Sequence, residues 1–275
     1  MSDFVAVGVD SGASRTRVLA SESNFFSFAT PSNYSDYLNV LCRFLDGLQK
    51  IDRMVIALPT VVEHYVILAP PNLGPGWNES NITKDIRQVS TAQIGEIAVV
   101  QDTEAAAHGV LDLHIVRAFP ALLVTLSTGI GGALISPNSV RPLEVGHMIL
   151  DLTGRQSLCG CGQIGCAEAD LSGLAIAKQL GTAPENASAE YWQHYGQMLG
   201  RFLCILAPLF SAKEVFFIGG VANQANLFLP ACSAWIQSQI RRMSPPALSV
   251  VDDSDRIGAR GARALAHTAL FPPQN

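Results

Sequence analysis

The sequence predicts a two-lobed α/β protein with a central ligand cleft. Three observations carry that prediction. Short β-rich runs alternate with stretches of helical periodicity. A strand–glycine turn–strand pattern occurs twice, at 4–20 and at 121–135. Several apolar runs end in glycine and small hydroxyl residues, where an α/β sheet offers room for a ligand.

Taken in order, FVAVGVDSGASRTRVLA (4–20) reads as a strand, a tight polar turn and a second strand. YSDYLNVLCRFLDGLQK (34–50) spaces Leu38, Leu41, Phe44, Leu45 and Leu48 along one helical face. MVIALPT (54–60) and EIAVVQD (96–102) are strands that end in polar or turn residues, and NITKDIRQVSTA (81–92) is a short helix. In the second half, ALLVTLSTGIGGALI (121–135) forms two buried strands, and SAEYWQHYGQMLGRFLCILAPLF (188–210) a long helix. EVFFIGGVAN (214–223) runs from a strand into a glycine turn, and RIGARGARALAHTAL (256–270) is a helix of small residues suited to close packing. The expected division is a small α/β lobe over 1–105, a larger one over 106–256, and a C-terminal helix in 257–275 that packs back on the first lobe.

Composition narrows the function. Of 275 residues 48% are hydrophobic and only 15% charged, with mean hydropathy +0.26, enough for one or two cores. Net charge is −5 and no basic block exists, which argues against a nucleic-acid partner. Arg241-Arg242 reads as a solvated helix end. The first residues lack a basic region followed by a long apolar one, and the run AFPALLVTLSTGIGGALI is punctuated by Ser, Thr and Gly. The expectation is a cytoplasmic protein with no membrane partner. In a reducing compartment, clustered cysteines point to metal or catalysis more than to disulfides.

Three glycine turns matter: DSGASRTR (10–17), STGIGG (127–132) and IGGVAN (218–223). Their N–H groups and hydroxyls can cradle phosphate oxygens, and glycine allows close approach. Singly, each is equally an ordinary β-turn, and none matches the P-loop pattern. Their order resembles the actin/hexokinase-type ATPase core, in which two hairpins hold phosphates and a third turn holds adenosine.

Three of the six cysteines fall within eight residues, as Cys159-x-Cys161-x4-Cys166, with His147 twelve residues upstream. One nitrogen and three sulfurs make a full tetrahedral set for Zn²⁺, and Gly160, Gly162 and Gly165 let the chain wrap closely. Free structural thiols are the alternative. Cys42, Cys204 and Cys232 sit in apolar helical runs and read as buried small hydrophobes. A closed four-ligand site has no open position for water, so this knot holds something in place, and Glu144 and Glu168 flank it.

The segment E-x-G-H…C-x-C-G-x-x-G-C-x-E, followed by Leu171-Ser172-Gly173, resembles the signature of the ROK family (repressors, open reading frames and kinases). DSGASR is similar to that family's D-x-G-G-T-K turn, PPNLGPGW (70–77) to its PNLPGW segment, QDTEAAAHG (101–109) to its N-D-x-x-A-A-A-x-G-E, and STGIGGAL to its G-T-G-I-G-G-G. The resemblance covers nearly the whole chain.

It implies an ATP-dependent kinase for a hexose or N-acetylhexosamine, with a two-lobed actin-like ATPase (ribonuclease H-like) fold. By position, Asp102 would be the general base, taking the proton of the attacking sugar hydroxyl. As a residue at a strand end, Asp102 is equally a helix N-cap, and Thr103 shares that option. Glu144, His147 and Glu168 would bind sugar hydroxyls, His147 with one ring nitrogen on zinc. Gln101 would flank the base. Asn72 is a further candidate sugar contact, although Asn-Leu-Gly is also good turn chemistry. Asp10 would act on Mg²⁺ through water. Gly12, Ser14, Thr128 and Gly129 would line the phosphates, and Gly219 and Gly220 the adenosine. His147, Cys159, Cys161 and Cys166 would hold the structural Zn²⁺. Homodimers are common in the family.

The chain departs from the family pattern at four places. Gln101 replaces the usual Asn. Ala13 and Arg15 replace Gly and Lys in the first turn. The segment ALISPNSVRPL between STGIGG and EVGH is short, and the gap from His147 to Cys159 is slightly long. None removes a catalytic group, but together they bear on sugar choice and efficiency. A catalytically weak or inactive sugar-binding protein of the same fold is the alternative. A regulator with a preceding helix-turn-helix is not expected, because the first turn begins by residue 10.

Overall fold

The chain divides into two units, Met1–Ile115 with Asp255–Asn275, and Val116–Ser254. The computed structural model describes residues 4–63, 66–68 and 73–268.

In the first unit, β1 (Ala6–Ser11), β2 (Arg15–Ser21) and β3 (Asn24–Ala29) form an antiparallel meander. Helix α1 (Tyr34–Leu48) leads to β4 (Lys50–Leu58), which pairs parallel with β1. A small ribbon of β5 (Val61–Glu63) and β6 (Val66–Leu68) follows, then α2 (Ile82–Val89). Strand β7 (Gln93–Gln101) lies parallel to β4 and runs straight into α3 (Asp102–Asp112). The sheet order is β3-β2-β1-β4-β7.

The second unit repeats that plan. Strands β8 (Ala121–Leu126), β9 (Ile130–Ser136) and β10 (Ser139–Leu143) form the meander. After the cysteine segment come α4 (Ala167–Leu171), α5 (Gly173–Leu180) and α6 (Ala189–Phe210). Strand β11 (Glu214–Ile218) pairs parallel with β8, and α7 (Ala225–Gln239) leads to β12 (Ala247–Val250), parallel to β11. The order β10-β9-β8-β11-β12 matches the first sheet strand for strand. The two glycine turns therefore occupy equivalent hairpins. Helix α8 (Ile257–His267) then belongs to the first unit.

Alternation along the first sheet separates two cores. Val7, Val9, Met54, Ile56 and Leu58 join Tyr37, Leu41 and Leu45 of α1. On the other face Ala6, Val55, Ala57 and Ala98 meet Ala105 of α3 and Ala262, Leu265 and Ala266 of α8. Small residues allow that second layer to lie close. A Cβ on Gly261 would fall 1.7 Å from the Ala105 carbonyl oxygen, and one on Gly8 2.1 Å from that of Ala259. Because α3 packs on α8, the first unit runs to Ile115 and resumes at Asp255, rather than dividing at 105 and 256.

Local signals explain the helix ends. The Asn33 side chain caps α1 by accepting the Ser35 N–H at 2.8 Å, and Ser188 caps α6 by accepting the Tyr191 N–H at 3.1 Å. Cys42 and Cys232 are buried, whereas Cys204 lies on the half-buried side of α6 and is not a core residue. Among the described residues no helix is long and apolar enough to cross a membrane.

Candidate functional site

In the first unit the turn after β1 is closed by the Gly12 N–H, which donates to the Arg15 carbonyl at 3.0 Å. Thr30 holds it from below: its hydroxyl donates to the Gly12 carbonyl at 2.7 Å and lies 2.9 Å from the Thr16 hydroxyl. Ser14 and Arg15 are exposed at the tip. Arg15 donates to the Ser27 hydroxyl at 3.3 Å.

Asp10, at the end of β1, keeps 18% of its side-chain surface exposed and lies 3.8 Å from the Arg17 guanidinium. Burial pushes its carboxyl up to about 6; Arg17 opposes the shift and Asp255 adds to it. Arg17 is itself tied to Asp255 through Nε at 2.9 Å. The first turn of α8 comes close, since a Cβ on Gly258 would fall 2.6 Å from Asp10 Oδ2. Sequence reasoning missed Arg17 and Asp255, and no signal links residues so far apart along the chain.

Asp102 is the first residue of α3, and its Oδ1 accepts the Thr103 N–H at 2.7 Å. The cap position is Gln101, which makes no side-chain cap bond, so neither Asp102 nor Thr103 is the N-cap. In the strand register Asp10 faces Ala57, and Leu58 faces Gln101. Asp10 and Asp102 therefore lie at the same end of the sheet, with β4 between them, two strand spacings or roughly 10 Å apart. That is the carboxyl end of the parallel strands, where open α/β sheets bind ligands. Asn72 lies outside the described residues.

In the second unit the cysteine segment folds into a tight knot. The Leu150 and Asp151 N–H groups share the Gly165 carbonyl at 2.8 and 2.9 Å, and the Cys159 N–H donates to the Gln163 carbonyl at 2.8 Å. Gly162 and Gly165 take φ of 88° and 79°, a left-handed conformation that favours glycine. The longer strap between His147 and Cys159 is pinned by buried Asp170. Its carboxylate accepts from the Thr153 hydroxyl at 2.9 Å and the Ser157 hydroxyl at 3.3 Å.

The ligand atoms of His147, Cys159, Cys161 and Cys166 all lie within 4.8 Å of one another. Cys159 Sγ is 3.7 Å from His147 Nδ1, and Cys161 Sγ is 3.7 Å from Cys166 Sγ. A tetrahedral ion with metal–sulfur bonds of about 2.3 Å needs sulfurs about 3.8 Å apart, so these donors fit one. A disulfide would need about 2.05 Å, so they are not oxidised partners. Burial pushes the Cys159 thiol up to about 12, while the Gln163 N–H holds Cys161 down.

Glu168 follows the knot at the start of α4. Its Oε2 accepts the Ile130 N–H at 2.8 Å, and its Oε1 lies 3.6 Å from Cys159 Sγ. A Cβ on Gly129 would fall 2.6 Å from the same carboxylate, so a side chain there would displace Glu168. The Gly173 N–H donates to the Ser127 carbonyl at 2.7 Å, and Ser172 caps α5. The turn carrying Thr128 and Gly129 is thus held by residues 168–173. Gly219, with φ of 101°, packs on the same strand end, where a Cβ would meet the Leu126 carbonyl at 2.4 Å. Glu144 is exposed and begins the 3₁₀ turn Val145–His147, which Gly146 seats against the Ile130 carbonyl. Thr128, Gly129, Glu144, His147, Glu168, Gly219 and the three cysteines thus surround one strand end and its knot.

A cavity of 760 Å³ lies elsewhere in this unit, between α7 and β12, and none of the expected site residues that the structure describes lines it.

The sequence profile described as "ROK family" matches residues 7–269. An N-acetylmannosamine kinase of Pasteurella multocida is 33% identical over 136 residues, covering 46% of this chain and 44% of that protein. The chain spans about half the length of the curated kinase relatives it matches. The DNA-binding transcriptional dual regulator NagC of Escherichia coli is 21% identical, over 85% of this chain and 66% of that protein. Among solved structures, a ROK family glucokinase from Streptomyces griseus in complex with glucose and AMPPNP superposes with a TM-score of 0.76. It is 22% identical and covers 95% of this chain and 99% of that one. These neighbours have the actin-like ATPase fold, and the two sheets found here share it.

Proposed function

The chain belongs to the ROK family, and on that premise we propose that it transfers the γ-phosphoryl group of ATP to a hydroxyl of a hexose or N-acetylhexosamine. Glucose, N-acetylglucosamine and N-acetylmannosamine are the first substrates to test. The observation that carries this reading is the Glu168 carboxylate bonded to the backbone of the second glycine turn. A group suited to sugar hydroxyls and a turn suited to phosphate oxygens share one support. Similarity to an N-acetylmannosamine kinase favours an N-acetylhexosamine within that class.

In this reading Asp102 takes the proton from the attacking hydroxyl. The Thr103 N–H, bonded to Oδ1, fixes the orientation of that carboxylate. Glu144, Glu168 and the second ring nitrogen of His147 bind sugar hydroxyls, and Gln101 flanks the base. Gly12, Ser14, Thr128 and Gly129 line the phosphates; Gly219 and Gly220 meet the adenosine. Asp10 orients the water shell of Mg²⁺, which when bound neutralises phosphate charge. His147 Nδ1 and the three cysteines hold a structural Zn²⁺, with no position left open for catalysis.

The test is coupled ADP release with Mg²⁺–ATP against glucose, N-acetylglucosamine, N-acetylmannosamine, mannose, fructose and allose. Sugar-dependent turnover that is lost in Asp102→Asn, with sugar binding retained, supports the proposal. Near-normal turnover in that variant removes Asp102 as the base.

A second reading is a sugar-binding protein with little or no transfer. Ala13 and Arg15 in the first turn favour it, as does similarity to a transcriptional regulator over 85% of the chain. Sugar binding by calorimetry without ADP release would select it.

A further inference from the structure

We propose that Tyr37 is a positioning residue that couples the Leu73–Trp77 segment to the first glycine turn, so that nucleotide at that turn is registered at Trp77. This rests on the reading of that turn as a phosphate site. Ser11 stands between Asp10 and Gly12, yet its side chain is fully buried and turns inward. Its Oγ lies 2.6 Å from the Tyr37 hydroxyl, which is also fully buried. Each hydroxyl is shut off from water, so a displacement of one draws on the other.

Tyr37 passes that constraint outward. Its ring packs on the Trp77 indole with centroids 4.4 Å apart, and Tyr34 adds an edge contact at 5.0 Å. Trp77 is fully buried, and among the described residues its Nε1 has no hydrogen-bond partner, so ring packing is the contact that holds the indole there. The segment that carries it is locked onto the start of α1. The Tyr34 N–H donates to the Pro75 carbonyl at 3.2 Å, and a Cβ on Gly74 would fall 2.0 Å from the Ser32 carbonyl. Gly76, at φ of 85°, passes over Tyr34. Turn, helix start and segment are thus joined through one hydroxyl pair and one ring contact, a physical route from the turn to that segment.

The chain has three tryptophans, so 5-fluorotryptophan labelling yields three ¹⁹F resonances, and Trp77→Phe assigns one of them. Mg²⁺–ADP is titrated without sugar, with calorimetry in parallel. The wild-type Trp77 resonance should shift on nucleotide binding. Tyr37→Phe keeps the ring and removes the hydroxyl. It should at least halve that shift and weaken ADP by no more than about ten-fold, because the bond exists before nucleotide binds and only its strengthening on binding is lost. Ser11→Ala breaks the same bond from the other side and should do the same. The double variant removes both partners, and should regain affinity to within about two-fold while Trp77 stays silent. ADP binding with an unmoved Trp77 resonance, or a full shift in both single variants, would overturn the coupling alone. No ADP binding by calorimetry would remove the kinase reading and the coupling with it.

Discussion

Glu168 and Ile130 are joined by a 2.8 Å hydrogen bond from backbone to carboxylate, across 38 residues of sequence. The other carboxylate oxygen lies 3.6 Å from Cys159 Sγ. One side chain therefore ties the cysteine knot to the second glycine turn. Glu168→Ala leaves the Ile130 N–H, on a residue only 6% exposed, without its acceptor. That should cost about 1–3 kcal/mol. Glu168→Gln keeps a carbonyl acceptor and should lose less. Thermal melts of the two variants check the order; equal losses would mean that the bond contributes nothing.

The candidate metal site offers a separate test. Cys161 is exposed, so Cys161→Ser changes little packing. The variant should nonetheless lose stoichiometric zinc and melt at a lower temperature, as should wild-type protein treated with a strong chelator. Elemental analysis beside calorimetric melting provides the check. A serine variant that keeps one zinc per chain and the wild-type Tm would show that the four donors are wrongly assigned.

Asp10 predicts a pH dependence. Burial raises its carboxyl from 3.8 to about 6, so the folded state binds the proton more tightly than the unfolded state. The stability associated with that proton is complete below pH 3.8 and is lost as pH rises through 6. Asp10→Asn removes the ionisable group. It should stabilise nucleotide-free protein at pH 8 by up to about 3 kcal/mol, with the gain vanishing near pH 4. Urea unfolding at both pH values decides it, and a constant offset would contradict the assignment.

The close approach of α8 to α3 separates two kinds of glycine. Gly261→Ala would force a methyl into the Ala105 carbonyl and should destabilise by about 1–3 kcal/mol or more. Gly47 lies on the exposed side of α1 with nothing near its absent Cβ. Gly47→Ala should stabilise by about 0.4–1 kcal/mol, by reducing the freedom of the unfolded chain. If both substitutions shift the denaturation midpoint the same way, the packing account fails.

Much of this protein is legible in local sequence. Apolar spacing marks α1, α6 and the strands; the repeated strand–glycine turn–strand runs become equivalent hairpins in two sheets of the same order. The four donors of the knot are legible too, because they fall within twenty residues and glycines bend the chain between them. Such signals need only neighbours along the chain: periodicity, turn chemistry and ligand spacing.

Other features depend on folding at a distance. The α3–α8 contact moves the unit boundary from 105 to 115, and no composition change marks it. Asp102 reads as a possible cap, but β7 runs directly into α3 and leaves it one residue inside the helix. The pairings Glu168–Ile130, Ser11–Tyr37 and Arg17–Asp255 span 38, 26 and 238 residues. Residue type and spacing alone determined which candidate groups this chain offers to phosphate, sugar hydroxyls and metal. Only strand register and helix packing decided which of them touch, because those contacts form where distant segments compete for the same buried space.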